Sequence, residues 1–196
     1  GVAPIMIYLA GSDEVLTISG LGTWPSAANL DLFIDKHGGV VPEGIERVVV
    51  PAAPDAWITA LARFGTMGFG EVAAAATRFA RDGFVMYPLM VELIEGNAEG
   101  YARWPANAAI YLPGGRAPRA GELFVQADLG RSLQYMADEE AAAAGDRQAG
   151  LAAARAAFYE GDIAHTITDY HREQGGLLTM ADMAAFRSEV ERPVMT

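Results

Sequence analysis

Two short apolar runs near the start, Ile5-Met6-Ile7-Tyr8-Leu9 and Val15-Leu16-Thr17-Ile18, are rich in strand-forming residues, and most of the chain beyond them is patterned for helices. Gly11, Ser12 and Asp13 between them supply turn chemistry, so the pair predicts a β-hairpin. A two-stranded hairpin is marginal on its own. The first run is apolar at nearly every position, which reads as a strand covered on both faces and therefore demands layers above and below it. This combination defines an α+β, helix-rich chain that supplies only some of the layers its hairpin needs. It also predicts that apolar surface stays exposed unless a further segment or a second copy covers it, which makes self-association an expectation.

Helical signals then come one after another. Leu30, Phe33 and Ile34 stand at helical spacing before Gly38-Gly39 stops them. Val48 to Val50 suit a strand, Pro51 and Pro54 interrupt it, and Trp57, Ile58, Leu61 and Phe64 form a stripe ended by Gly65. Val72, Ala76 and Phe79 define the expected inner face of the next helix, which Gly83 ends, and Pro88 opens another. The Pro-, Gly- and Ala-rich stretch 101–121 has no sustained period and reads as a long ordered loop. Leu129, Leu133 and Met136 mark a helix from near Asp128, and alanine-rich helical composition continues across a break at Gly145. Ile163, Ile167 and Tyr170 give a further helix its apolar face, Gly175-Gly176 ends it, and Thr179-Met180-Ala181-Asp182 is an acidic variant of a capping box. With no internal repeat and no linker-like stretch, residues 1–196 read as a single segment.

Charge and composition narrow the function. Fourteen Lys and Arg against 25 Asp and Glu give a formal charge of -11, which opposes a nucleic-acid partner, because that affinity rests on basic side chains displacing counterions. With no cysteine there is no disulfide framework, no thiolate nucleophile and no Cys-ligated zinc. No apolar run reaches the roughly 18 to 20 residues of a membrane span. The compartment stays open, a soluble chain in the cytoplasm or the periplasm fitting equally well.

Complete catalytic motifs are absent from the sequence. His165 and His171 are six residues apart, hence about 120° apart around a helix, whereas ligands on one face need a spacing of three or four. They read as solvent-facing or helix-flanking residues. His37, before Gly38-Gly39, fits a helix C-terminus, where the dipole favours a partly cationic ring. The glycines at 20–22 and 114–115 lack the context of nucleotide loops. Trp24, Trp57, Tyr101 and Trp104 suit core or interface packing better than a pocket lining. No metal site is expected, and a histidine-dependent metal hydrolase lacks its ligand set.

The order of the pieces says more than any one of them. "VVVPAAPDAWITALARFGTMGFGEVAAAATRFARDGFVMYP", then "PGGRAPRAGELFVQADLGRSLQYMADE", then "AFYEGDIAHTITDYHREQGGLLTMADMAAF" resemble, in that order, the gamma-glutamyltranspeptidase family. The resemblance covers nearly all of 1–193 and corresponds to the front part of the family's large subunit, so the chain is expected to be an incomplete one. It implies an N-terminal-nucleophile hydrolase with a four-layer αββα fold, of which this chain would hold a part. It also implies a precursor that cleaves itself to expose a threonine, and chemistry that needs no cofactor. A nucleophile of this kind uses its own α-amine as base, so it must begin a chain and carry a hydroxyl or thiol. Gly1 has neither, and Thr196 is the last residue. No catalytic residue is therefore expected here. The implied partners are the remaining large-subunit segment, a small subunit carrying the nucleophile, and a small amide substrate. The implied role is scaffold and pocket wall; the alternative is a non-catalytic, acidic, helix-rich binding or interaction module.

One stretch departs from the family pattern. Where glutamyl-transferring members carry an Arg-Glu-Thr-Ala-Pro type segment whose arginine grips the substrate α-carboxylate, this chain reads "SGLGTWPSAA". Leu21 takes the arginine position, Gly22 the glutamate position, and Thr23 and Pro25 match their counterparts. The resemblance thus marks Leu21, Gly22, Thr23 and Trp24 as substrate-pocket candidates with the anchor missing. Trp24 would favour a flatter or more apolar acyl group, and Arg116 or Arg119 is a candidate replacement anchor.

Overall fold

The computed structural model describes residues 2–194; Gly1 and Thr196, expected not to act as nucleophiles, lie outside the described residues. The hairpin forms as the turn chemistry dictates. Strand β1 (Ile5–Leu9) pairs antiparallel with β2 (Glu14–Ile18), Ile5 facing Ile18 and Leu9 facing Glu14. Asp13 takes a left-handed φ of 54° in the turn, a conformation Asp tolerates, and its carboxylate accepts a bond from the Tyr8 hydroxyl at 2.9 Å. A short third strand, β5 (Val190–Glu191), pairs antiparallel with β2, giving the order β1-β2-β5. Within this chain β1 is covered on one face, so the segment supplies only some of the layers that burial on both faces would need. Ile5, Ile7 and Leu9 are half-buried, whereas Met6 and Tyr8 are 71% and 61% exposed.

The helices are α1 (Leu30–His37), α2 (Ala53–Phe64), α3 (Phe69–Asp82), α4 (Pro88–Gly96), α5 (Ala98–Ala102), α6 (Pro105–Tyr111), α7 (Ala127–Ala142), α8 (Arg147–Tyr159), α9 (Asp162–Gln174) and α10 (Met180–Ala185). A two-stranded ribbon pairs β3 (Phe84–Val85) with β4 (Leu123–Phe124). The architecture is α+β and helix-rich. Two compact units form, one from the segments up to Val72 and from Tyr135 onward, the other from Ala73–Gln134. The first unit closes around Val50, Ala52, Tyr159, Ala164, Leu178, Met183 and Phe186, brought together by α8, α9, α10 and the stretch before α2. The second closes around Met86, Ile94, Leu112 and Phe124, with Tyr101 stacked on Tyr111 at 4.5 Å. Burying each of the larger apolar side chains among these, such as Val50, Leu178, Met183, Ile94 and Phe124, stabilises its unit by about 1.5–3 kcal/mol.

Several local expectations are met for their stated reasons. Gly38 and Gly175 end α1 and α9 in the left-handed region, at φ 64° and 75°. Thr179 and Asp182 form the reciprocal capping box of α10. Others are corrected. Val48 to Val50 make no strand: Val50 N–H has a single bond, to Thr23 O at 3.0 Å, and Pro51 has no N–H with which to extend a ladder. The stretch 101–121 is not all loop, because Pro105 at the first position of α6 and the alanines after it favour helix, in pieces too short to display a period. On α3 the buried face is Phe69, Ala73, Thr77 and Ala80, and Phe79 lies 50% exposed. The small residues are inside because the backbones approach closely: a Cβ on Gly70 would lie 3.3 Å from Ala137 Cβ, and one on Gly130 would lie 3.0 Å from Arg81 N. The inner stripe of α9 is likewise Ala164, Thr168 and His171, with Tyr170 exposed.

Candidate functional site

The stretch marked at 21–24 leaves β2 through Gly20, where a φ of 52° and a backbone so close that any Cβ would fall 2.1 Å from Ala3 O exclude a side chain. Gly22 is equally constrained: a Cβ would fall 1.9 Å from Val50 O. Thr23 O then accepts from Val50 N–H, so the segment lies against residues 48–50. Leu21 is 57% and Trp24 46% exposed, the Trp24 ring meeting Phe33 edge-on at 5.7 Å. Pro25 is fully buried, and the next amide, Ser26 N–H, donates to Asp182 Oδ1 at 2.8 Å.

Thr23 and Trp24 line a surface groove of about 350 Å³ together with Ser26, Asp182, Phe186 and Arg187. Leu21 and Gly22 do not line it; Leu21 lies on the exposed surface and Gly22 supplies the backbone contact to Val50. Asp182 is held below the usual carboxylate range: burial pushes it up, and the bonds from Thr179 and Ser26 outweigh that. Arg187 Nη1 donates to Ala184 O and Phe186 O, closing the C-terminal end of α10.

A buried network absent from the sequence expectations holds residues 186–188 of the groove wall. Asp55, 1% exposed on α2, accepts from Arg155 Nε at 2.5 Å and from Ser188 N–H at 2.6 Å. Arg155 Nη2 donates to Phe186 O at 2.5 Å, and its guanidinium lies 4.6 Å from the Tyr159 ring centre. The Tyr159 hydroxyl donates to Pro51 O at 2.6 Å and accepts from Asp55 N–H at 3.1 Å; burial pushes the phenol above its ordinary value. Helices α2 and α8 thereby fix the backbone of 186–188. Ser188 Oγ is buried with no hydrogen-bond partner among the described residues.

The remaining candidates fall elsewhere. Both Nη atoms of Arg116 are bonded to Glu122, at 3.0 and 2.9 Å, and Glu122 also accepts from Arg119 N–H; the Arg116 bond first, and then that of Arg119, lower this carboxyl to about 2. His37 lies in the last turn of α1 and meets Glu46 at 2.7 Å; Glu46, also bonded to Lys36, is held below its ordinary value, first by the Lys36 bond. His165 is exposed. His171 is not: it is 3% exposed, with Gly176 so close that a Cβ there would fall 2.3 Å from its Nδ1, and burial lowers its pKa. Its Nδ1 accepts from Leu178 N–H at 3.4 Å, closing the α9–α10 turn. The four aromatics divide between the units, Trp24 and Trp57 in the first, Tyr101 and Trp104 in the second. Among the described residues no three His, Asp or Glu side chains converge as metal ligands. No helix among them is long and apolar enough to cross a membrane.

The fold and sequence are shared with known proteins. The family model for gamma-glutamyltranspeptidase matches residues 2–196, and the chain belongs to that family. It is 36% identical over 200 residues to the acylase ACY 1 proenzyme of Pseudomonas sp. (strain V22), covering 96% of this chain and 33% of that protein. It is 27% identical over 177 residues to the glutathione hydrolase proenzyme of Escherichia coli (strain K12), covering 87% and 28%. Among solved structures, the cephalosporin acylase from Bacillus halodurans superposes with a TM-score of 0.78 at 25% identity, over 96% of this chain and 34% of that one. The chain thus spans about a third of the length of these relatives.

Proposed function

We propose that residues 1–196 are one segment of a gamma-glutamyltranspeptidase-like amide hydrolase or acyltransferase, contributing scaffold and one wall of the acyl pocket. In this reading a threonine outside these residues is the nucleophile, and the remaining large-subunit segment and a small subunit complete the enzyme. The threonine oxygen attacks the amide carbonyl, the C–N bond breaks and the amine departs with a proton. Water, or a second amine, then takes the acyl group from the threonine.

The carrying observation is Leu21, an exposed alkyl side chain on a segment whose backbone is pinned by Gly22 and Thr23. A leucine offers no fork of donors to a carboxylate, so the preferred acyl group is not gamma-glutamyl. The higher identity to an acylase than to a glutathione hydrolase supports the same choice. The test compares kcat/KM for glutathione with that for glutaryl and short oxo-acid amides on the full-length gene product, then repeats it with Leu21→Arg. Glutathione is expected to be the poorer substrate, and the substitution to raise its kcat/KM by roughly tenfold or more, the worth of a charge-assisted hydrogen bond. Glutathione as the best substrate of the unaltered enzyme overturns the reading.

A further inference from the structure

Asp182 makes more bonds than a helix cap needs. At the third position of α10 its Oδ2 accepts from Thr179 N–H at 2.9 Å and from the Thr179 hydroxyl at 2.6 Å, which completes the capping box. Oδ1 is left over, and it accepts from Ser26 N–H, 156 residues away in sequence. Capping explains one oxygen. The second joins α10 to the strip that carries Trp24.

That strip is tied at each end by a bond to a distant part of the chain. Thr23 O is held by Val50 N–H, and Ser26 N–H by Asp182. Pro25 between them has no N–H to give. Trp24 is therefore framed by two fixed points, with Phe33 against its edge and the groove beside it. The length of the Asp182 side chain matters too. Glutamate, the usual residue at this helix position, still caps the helix but carries its second oxygen a methylene further out.

We infer that Asp182 is a positioning residue for acyl selection, its spare carboxylate oxygen clamping the Thr23–Ser26 strip so that Trp24 presents a fixed wall to the acyl group. The inference rests on the reading of 21–24 as substrate-facing. It adds to that reading a residue distant in sequence whose two carboxylate oxygens are both engaged within the protein and which acts through Trp24.

The test is Asp182→Glu in the full-length gene product, with Asp182→Asn as a second variant of unchanged size should the first fail to fold. Two quantities are read: hydrogen exchange of the Ser26 amide, and the ratio of kcat/KM for a short oxo-acid amide to that for a glutaryl amide. Ser26 exchange is expected to quicken by about tenfold or more as its acceptor is displaced in Asp182→Glu or loses its charge in Asp182→Asn. The ratio is expected to move by roughly three- to tenfold, mostly through KM, while the melting temperature changes little. A purely structural role moves both substrates together and leaves the ratio fixed. Unchanged Ser26 exchange overturns the proposal, and so does quickened exchange with an unchanged ratio. If the unaltered protein turns over none of the amides, the functional reading falls and takes the proposal with it, an outcome distinct from either of those.

Discussion

Two arginine–carboxylate pairs in this molecule share the same chemistry and do different work. In the second unit Arg116 forks both Nη atoms onto Glu122, six residues away, with both side chains well exposed, at 51% and 37%. In the first unit Arg155 reaches Asp55 across 100 residues, the two side chains 12% and 2% exposed. The exposed pair has the better fork, but water competes for every bond and salt screens it, so it tidies a loop and little more. The buried pair joins α2, α8 and the 186–188 wall, and both Asp55 oxygens are taken, one by Arg155 and one by Ser188 N–H. Solvent exclusion and sequence separation set the worth of such a contact, rather than its fork geometry.

Breaking the buried pair is the largest expected effect. Asp55→Ala strands the Arg155 guanidinium and leaves Ser188 N–H without its acceptor, and is expected to cost about 3–5 kcal/mol in urea unfolding. A double change, Asp55→Leu with Arg155→Met, removes both charges and is expected to cost less than the single one. If the double change costs more, the bonds themselves, and not the stranded charge, dominate.

The backbone pin comes next. Gly22→Ala places a Cβ 1.9 Å from Val50 O, a collision with backbone that no rotamer relieves. A loss of roughly 1–3 kcal/mol is expected, with faster hydrogen exchange at Val50, whose bond to Thr23 O holds the same contact. Tyr159→Phe comes third at about 1–2 kcal/mol, because it deprives Pro51 O of a donor and Asp55 N–H of an acceptor at a site otherwise unchanged in shape.

These effects trace what the sequence makes legible. Helix ends can be read where one residue or a local pair does the work, as with Gly38, Gly175 and the Thr179–Asp182 box. The order of segments carries the family, and the Leu21–Trp24 stretch carries the site candidates. What stays hidden is non-local. Nothing near Asp55 in the sequence points to Arg155, and nothing near Asp182 points to Ser26. The inner faces of α3 and α9 differ from the expected ones by one position because close backbones select Ala and Thr, while pattern reading follows the larger apolar side chains. His171 departs from its expected exposure for the same reason, since a close approach of the Gly176 backbone packs against its ring.

That burial gives a pH test lying between the two ion pairs in size. The folded pKa of His171 is lowered, so the unfolded chain binds more protons in the acid range and stability rises with pH there. The contribution is full above the ordinary histidine value near 6.5 and is lost as pH falls through the folded value. In unfolding measurements stepped downward from pH 7, His171→Asn is expected to flatten this decline. An unchanged slope in the variant would assign the decline to other groups.

The smallest effect belongs to the exposed pair, and its smallness is what makes the comparison falsifiable. Glu122 titrates at about 2, held down first by the Arg116 bond and then by Arg119 N–H, so the pair is intact above the ordinary carboxylate range and dissolves as pH falls toward that value. A shift of this kind on a solvated side chain says where a proton binds, and screening keeps it from translating into comparable stability. Glu122→Gln is therefore expected to leave the unfolding curve at pH 7 and physiological salt superimposable on that of the unaltered chain. Arg116→Ala, by contrast, is expected to raise the Glu122 titration midpoint seen by NMR while leaving the same unfolding curve unmoved. If Glu122→Gln at pH 7 costs as much as Asp55→Ala, burial is not what separates the two pairs, and the loop that Arg116 and Glu122 close must stabilise the second unit in its own right.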